Sequence, residues 1–244
     1  MRVLLGFIAF LYSSSVACEH YTVLVYHGAN PPYNYISGNG QAGIFSHLFN
    51  RLSELTGHTF ELVPWSVARG QRLFDMGKID IEPGVNPNWR TQSSNPGIYS
   101  LPYAYSREVV LGREGERVTD DPKTFYGSVF GRVRGYRYGE FESHFGHTKI
   151  MVYDNVSEKE LLAQLAYQRV DFIMLGDATA AYYQHRHPDY ADFKVVYEIS
   201  RLPVHMRLQP HLKSLQAELN SALKTMIANQ EVEAIYHRYG ANSK

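Results

Sequence analysis

NPPYNYISGNGQAGIFSHLFNRLSELTGHTFELVPW (Asn30–Trp65) and ARGQRLFDMGKIDIEPGVNPNWR (Ala68–Arg90) decide how this chain reads. A Pro-Pro-Tyr turn follows the apolar run Tyr21–Tyr26, which reads as a strand. Leu48, Phe49, Leu52 and Leu55 then recur at helical spacing, predicting a helix from about Ser46 to Leu55 that Gly57 stops. Thr59–Val63 reads as a strand ending at Pro64, Ser66–Met76 as a second helix closed by Gly77, and Ile79–Ile81 as a short buried strand. Alternation of this kind implies parallel pairing with crossover helices. It also places an aromatic ring and a guanidinium on loops at one end of an open sheet, where α/β folds bind small ligands.

The rest of the chain continues the alternation. Residues 84–102 read as loop, rich in Pro, Gly and Asn. Strands are expected at Ser106–Gly112, Ser128–Val133 and Val170–Leu175. Ser157-Glu158-Lys159-Glu160 has the form of a capping box opening a helix to about Tyr167. Ala178–His185 reads as another helix. Leu212–Ile227 carries an apolar stripe, and Glu231–Tyr239 a shorter helix ending at Gly240.

Bulk properties narrow the function. Lys plus Arg and Asp plus Glu are both 24, a balance that argues against nucleic acid as a partner, since phosphate binding needs a basic excess. The 19 tyrosines offer flat apolar faces with a hydroxyl handle, useful in a wet cleft and equally at core edges. Arg2, the apolar run Val3–Tyr12 and the small residues Ser15 and Ala17 read as a signal peptide over residues 1–18, too short to span a membrane. Cys18 is the one cysteine. It excludes an internal disulfide, and its place after the leader leaves lipid attachment open. The residues contain no GxSxG, HExxH or phosphate-loop pattern. His144/His147 and His185/His187 have chelating spacings but lie in polar segments without a neighbouring cysteine, so no metal or other cofactor is expected.

In order and spacing, PPYNYI (residues 31–36), GQAGIFSHLFNRLSELTG (40–57), GKIDI (77–81), Arg90 and YSLPY (99–103) resemble the extracytoplasmic solute-binding proteins of amino-acid ABC transporters (bacterial family 3, type 2 periplasmic-binding fold). GRVRGYRYG (131–139), LAYQRVDFIMLGD (165–177) and AIYHRYG (234–240) extend the resemblance over nearly all of the chain after residue 18. It implies an α/β fold of two lobes, each an open mixed sheet with flanking helices. Residues 19–107 plus 204–244 would form lobe one, and 108–203 lobe two. Two hinge strands, Ser106–Leu111 and Leu202–Leu208, would join them. It further implies a monomeric, periplasmic, non-enzymatic protein that closes over an amino acid or related carboxylate and is read by an ABC permease or a membrane sensor.

The resemblance and the residues together give a candidate site. Arg90 would fork onto a ligand carboxylate. The Ser or Thr that usually supports this contact is replaced by Asn86, Pro87, Asn88 and Trp89. Tyr33, beside Tyr35 in the stiff Pro-Pro turn, either stacks on a ligand or packs under the loop. Trp65 either lines the cleft or caps the core. Gly135, in GYRYG, sits in a loop that would help hold a carboxylate, or is an ordinary turn glycine. Asp177 either pairs with a ligand ammonium or caps the following helix. Glu82, in the unusual IEPG segment, is the candidate acid or base for a competing reading, an exported dehydratase of cyclic carboxylic acids on the same scaffold.

Overall fold

The computed structural model describes residues 18–26, 30–38 and 40–243, so the expected signal peptide lies outside the described residues except for Cys18, which is exposed. β1 (His20–Tyr26) is followed by a small hairpin, β2 (Tyr35–Ser37) and β3 (Gly40–Ala42), then by α1 (Ile44–Thr56). The helix begins two residues before the expected start. Its buried face already includes Ile44 and Phe45 together with Leu48, Phe49 and Leu52, and each such side chain contributes about 1.5–3 kcal/mol on burial. Leu55, expected on that face, lies at its edge and is exposed. Gly57 closes the helix in the left-handed region (φ 75°), its N–H donating to the Ser53 carbonyl, a conformation glycine adopts without steric cost.

β4 (Thr59–Trp65), α2 (Val67–Asp75) and β5 (Ile81–Val85) complete the opening βαβαβ unit. β5 lies later than expected: Ile79 is buried but precedes it, and the strand runs through Pro83 and Gly84. Residues 84–102 are not all loop either. Asn86 accepts the Asn88 N–H at 2.9 Å and starts a short 3-10 turn, Pro87–Arg90, and β6 (Ile98–Tyr99) follows. β7 (Ala104–Gly112), β8 (Val129–Val133), β9 (Met151–Asn155), α3 (Glu158–Ala166), β10 (Phe172–Gly176) and α4 (Asp177–Gln184) come next. The Ser157 hydroxyl caps α3 by accepting the Glu160 N–H at 3.3 Å, as the capping pattern predicts. The 15-residue β11 (Lys194–Leu208) and helices α5 (Lys213–Ala228) and α6 (Glu231–His237) end the chain.

The main sheet has the order β4-β1-β5-β11-β7-β10-β8-β9, with β6 beside β11. β1 pairs in parallel with β4 and β5, and β8 in parallel with β10 and β9. Two long antiparallel strands join these parallel groups: β7 pairs with β11 from Ala104 to Gly112, while the end of β11 turns to β5 and β6. Leu202–Leu208 is thus only the final part of a much longer strand. Two cores result. One packs α1, α5 and α6 on β1 and β5; the other packs α3 and α4 on β8 and β10, with a cluster of aromatic residues on the opposite face. Among the described residues no helix is long and apolar enough to cross a membrane.

Candidate functional site

A cavity of about 90 Å³ lies where the two halves of the sheet meet, walled by Tyr26, Tyr33, Gly84 and Arg90 from one and Glu108, Tyr136, Glu158 and Thr179 from the other. That is several times the space a single water requires. The halves also touch beside it. Gln71 of α2 donates to the Gly135 carbonyl at 3.2 Å, Arg137 donates to Gln92 at 2.8 Å, and the Tyr35 and Tyr182 rings are 6.0 Å apart.

On the first side, Arg90 sits in the cavity wall with its side chain 8 % exposed. Its fork, expected to face a ligand carboxylate, already holds one from the protein. Nε donates to Glu82 Oε2 at 3.1 Å and Nη2 to Glu82 Oε1 at 2.6 Å. Nη2 also reaches the Tyr26 hydroxyl at 3.1 Å, and Nη1 the Trp89 carbonyl at 3.1 Å. Glu82 accepts two further bonds, from Tyr26 Oη at 2.6 Å and from Arg207 Nη1 at 2.9 Å. Arg207 is fully buried. It donates on to Asp75 at 3.1 Å, to Ser93 at 2.5 Å and to the Asn95 carbonyl, and stacks 4.0 Å over the Phe74 ring. Two guanidinium groups and two carboxylates therefore balance.

Electrostatics follows this pairing. Burial alone would raise the Glu82 pKa, but Arg90 and Arg207 outweigh it and hold the group down at about 2. A carboxyl so low holds no proton near neutrality, so Glu82 is no general acid there. Burial likewise works against the charge on Arg90, and Glu82 overrides it, raising its pKa further.

The second side of the cavity carries acids without such partners. Glu158, the first residue of α3, is 2 % exposed. Its Oε1 accepts from Tyr136 Oη at 2.6 Å, while Oε2 has no hydrogen-bond partner among the described residues. Burial, with a smaller push from Glu108, drives its pKa up to about 8. Glu108, on β7, accepts from the Ser106 hydroxyl at 2.9 Å. It lines the cavity, and desolvation, with Asp177 adding to it, raises its pKa to about 7. Asn30 Oδ1 and Tyr236 Oη, also in the wall, likewise lack partners among the described residues.

The other candidates divide. Tyr33 lines the cavity and packs on Phe45 at 5.6 Å and on Tyr236 at 6.2 Å, so its ring packs under the loop at the cavity's edge. Tyr35 lies outside the wall, between Tyr182 and Tyr239. Trp65 is also outside: it packs against Leu24 and Phe74 and carries the Arg69 guanidinium 4.2 Å above its ring. Gly135 (φ 94°) is fixed by close approach to α2, since a Cβ there would sit 3.0 Å from Val67 Cγ1. Asp177 is not the cap of α4, a place Gly176 takes. It pairs with Arg107 at 3.5 Å and reaches the cavity only through its field on Tyr33 and Glu108. Among the described residues no three His, Cys, Asp or Glu side chains gather as for a metal ion.

Glu108 and Glu158 are absent from the sequence reading. Glu158 is masked by the capping pattern that contains it. Glu108 carries a faint signal: a charged residue directly before the apolar run Val109–Leu111, inside a strand.

A mixed sheet of two parallel groups, crossed by two long strands with a cavity at the crossing, defines a two-lobed solute-binding fold of the type 2 periplasmic class. Residues 23–242 match the family model for bacterial extracellular solute-binding proteins, family 3, and the chain belongs to that family. No curated protein matches it by sequence. Among solved structures it is similar to the arginine-, lysine-, histidine-binding protein ArtJ from Geobacillus stearothermophilus (TM-score 0.76, 18 % identity, 92 % of this chain and 97 % of that one). It is similar also to a histidine kinase sensor domain (0.75, 17 %, 90 % and 95 %). The ancestral amino acid-binding protein AncCDT-1, a precursor of cyclohexadienyl dehydratase, is a third (0.75, 17 %, 90 % and 95 %).

Proposed function

We propose that this protein captures a small polar solute carrying an amino group, of the amino-acid class, in the cavity between two lobes made of residues 19–107 plus 204–244 and of residues 108–203. The observation that carries the reading is a cavity walled from both sides with buried, unpartnered acceptors in it. Family membership and similarity to amino acid-binding proteins support it. After export and loss of the leader, the closed form is read by a membrane partner, an ABC permease or, as the sensor-domain likeness also supports, a receptor. Ligand drives closure only through higher affinity for the closed state. Calorimetry of the mature protein against amino acids, amines and small organic acids tests this. Binding accompanied by a smaller radius of gyration is expected; no heat from any member of the panel would refute it.

The Gly135 contact gives a second test. Gly135→Val forces a β-branched residue into the left-handed region and against Val67. The variant should stay folded but prefer the open form, with weaker solute binding and a larger radius of gyration in scattering. Unchanged affinity and size would show that this contact plays no part in closure.

One observation favours an enzymatic second reading. Glu108 and Glu158 hold protons near neutral pH, as a general acid must. Turnover of a prephenate-like cyclic acid by purified protein, lost in Glu158→Gln, would establish it.

A further inference from the structure

We infer that the cavity recognises an organic cation, an ammonium or guanidinium group held by Glu158 and Glu108, and that it makes no arginine clamp on a ligand carboxylate. The inference rests on the solute-capture reading above and narrows its ligand class. Three observations carry it. First, both guanidinium groups in the wall are already engaged: Arg90 by Glu82, through both arms of its fork, and Arg137 by Glu142 at 3.2 Å. An anionic ligand would have to displace a protein carboxylate that is itself 1 % exposed and held by a second arginine. Second, the unpartnered atoms at the cavity are dominated by acceptors. Asn30 Oδ1 and, once its proton has left, Glu158 Oε2 have lone pairs and no donor among the described residues, and the Tyr236 hydroxyl can serve either way. A buried acceptor left unmade costs on the order of 1–3 kcal/mol, so a ligand rich in N–H donors recovers what the empty site forgoes. Third, Glu108 and Glu158 share one field and, among the described residues, no cation lies beside them, unlike the balanced Arg–Glu–Arg–Asp group across the cavity. A cation entering between them is the missing counter-charge.

Affinity should depend on pH, because the proton on each acid must leave as the cation arrives. The groups facing Glu158 are Tyr136 and Tyr138 from the segment after β8, Tyr183 from α4, Glu108 from β7 and Tyr26 from β1. Asp177 faces Glu108. The tyrosines are all pushed up by burial, Tyr136 and Tyr138 furthest, and stay neutral through pH 9. Amine affinity therefore rises from pH 6 towards pH 8.5, through the range where Glu108 and Glu158 give up their protons.

Matched pairs that differ only by a carboxyl group test the inference: ethylamine against alanine, 1,4-diaminobutane against ornithine, agmatine against arginine, with propionate as the anion, all by calorimetry at pH 8.5. At least one amine is expected to bind as tightly as its parent amino acid or tighter, and propionate not at all. In Glu158→Gln, where the amide oxygen still accepts from Tyr136, that amine should lose tenfold or more while the thermal midpoint does not fall. Glu108→Gln should act in the same direction. Amino acids binding tenfold or more tightly than every matched amine, or an amine affinity untouched by both Gln variants, would overturn the cation inference and leave solute capture standing. No binding by any compound of either charge would overturn both.

Discussion

Glu82→Ala should be among the most damaging single substitutions in this protein. The carboxylate is 1 % exposed and joins Arg90 to Arg207, whose side chains are 8 % and 0 % exposed. Removing it strands positive charge in a low-dielectric setting. Breaking a buried pair from one side costs on the order of 3–5 kcal/mol, most of it the penalty on the charge left behind. Asp75 still serves Arg207, but among the described residues Arg90 keeps the Tyr26 hydroxyl and the Trp89 carbonyl alone. Urea unfolding should show a midpoint well below that of Glu54→Ala, which removes an exposed partner of Arg51 and should cost about 1 kcal/mol or less. Equal midpoints for the two variants would mean that the Glu82 group does not hold the two halves of its network together. A functional readout accompanies the loss. With Glu82 gone, the Arg90 fork is free, and a small carboxylate such as propionate should bind where it does not bind the parent protein.

The same residues show how far the sequence carries. The βαβαβ opening, α1 with its Gly57 stop, and the Ser157 cap are local signals: period, punctuation and side-chain reach within four residues fix them. The placing of Arg90 and Tyr33 in one cavity wall was also legible, because loops at strand ends converge in this kind of sheet. What escaped was non-local. Arg207 lies 125 residues from Glu82, and nothing near either residue announces that they meet, so the filling of the Arg90 fork had no sequence signature. Trp65 illustrates the converse. It stands at the expected strand end, yet its ring is covered by Arg69 one helical turn on, and sequence position alone gives no orientation for a ring. The length of β11 was hidden because its polar and apolar residues alternate unevenly across two register shifts in its pairing with β7.

Stability of the ligand-free protein should fall as the pH rises from about 5 to 8, the reverse of what ion-paired carboxylates produce. In the unfolded chain Glu108 and Glu158 release their protons near 4.5; in the folded chain they hold them to about 7 and about 8. Between those limits the folded state carries more protons, so unfolding becomes easier with each step up in pH, and the decline ends above about 8. The expected loss is on the order of 3 kcal/mol for each acid, and less if the two titrate as a coupled pair. Glu82 works in the opposite sense at the other end. Its pKa is depressed to about 2, so its contribution is complete above about 4.5 and disappears as the pH falls towards 2. Together they place the ligand-free optimum near pH 5. Urea midpoints measured across pH 4 to 9 should trace that maximum, and Glu108→Gln/Glu158→Gln should flatten its alkaline side and be more stable than the parent at pH 8. A parent protein equally stable at pH 5 and 8, or a double variant weaker than it at pH 8, would mean that the two acids are not the uncompensated buried groups their surroundings make them. A bound amine should abolish the decline, because the cation supplies at pH 8 the charge that a proton supplies at pH 5.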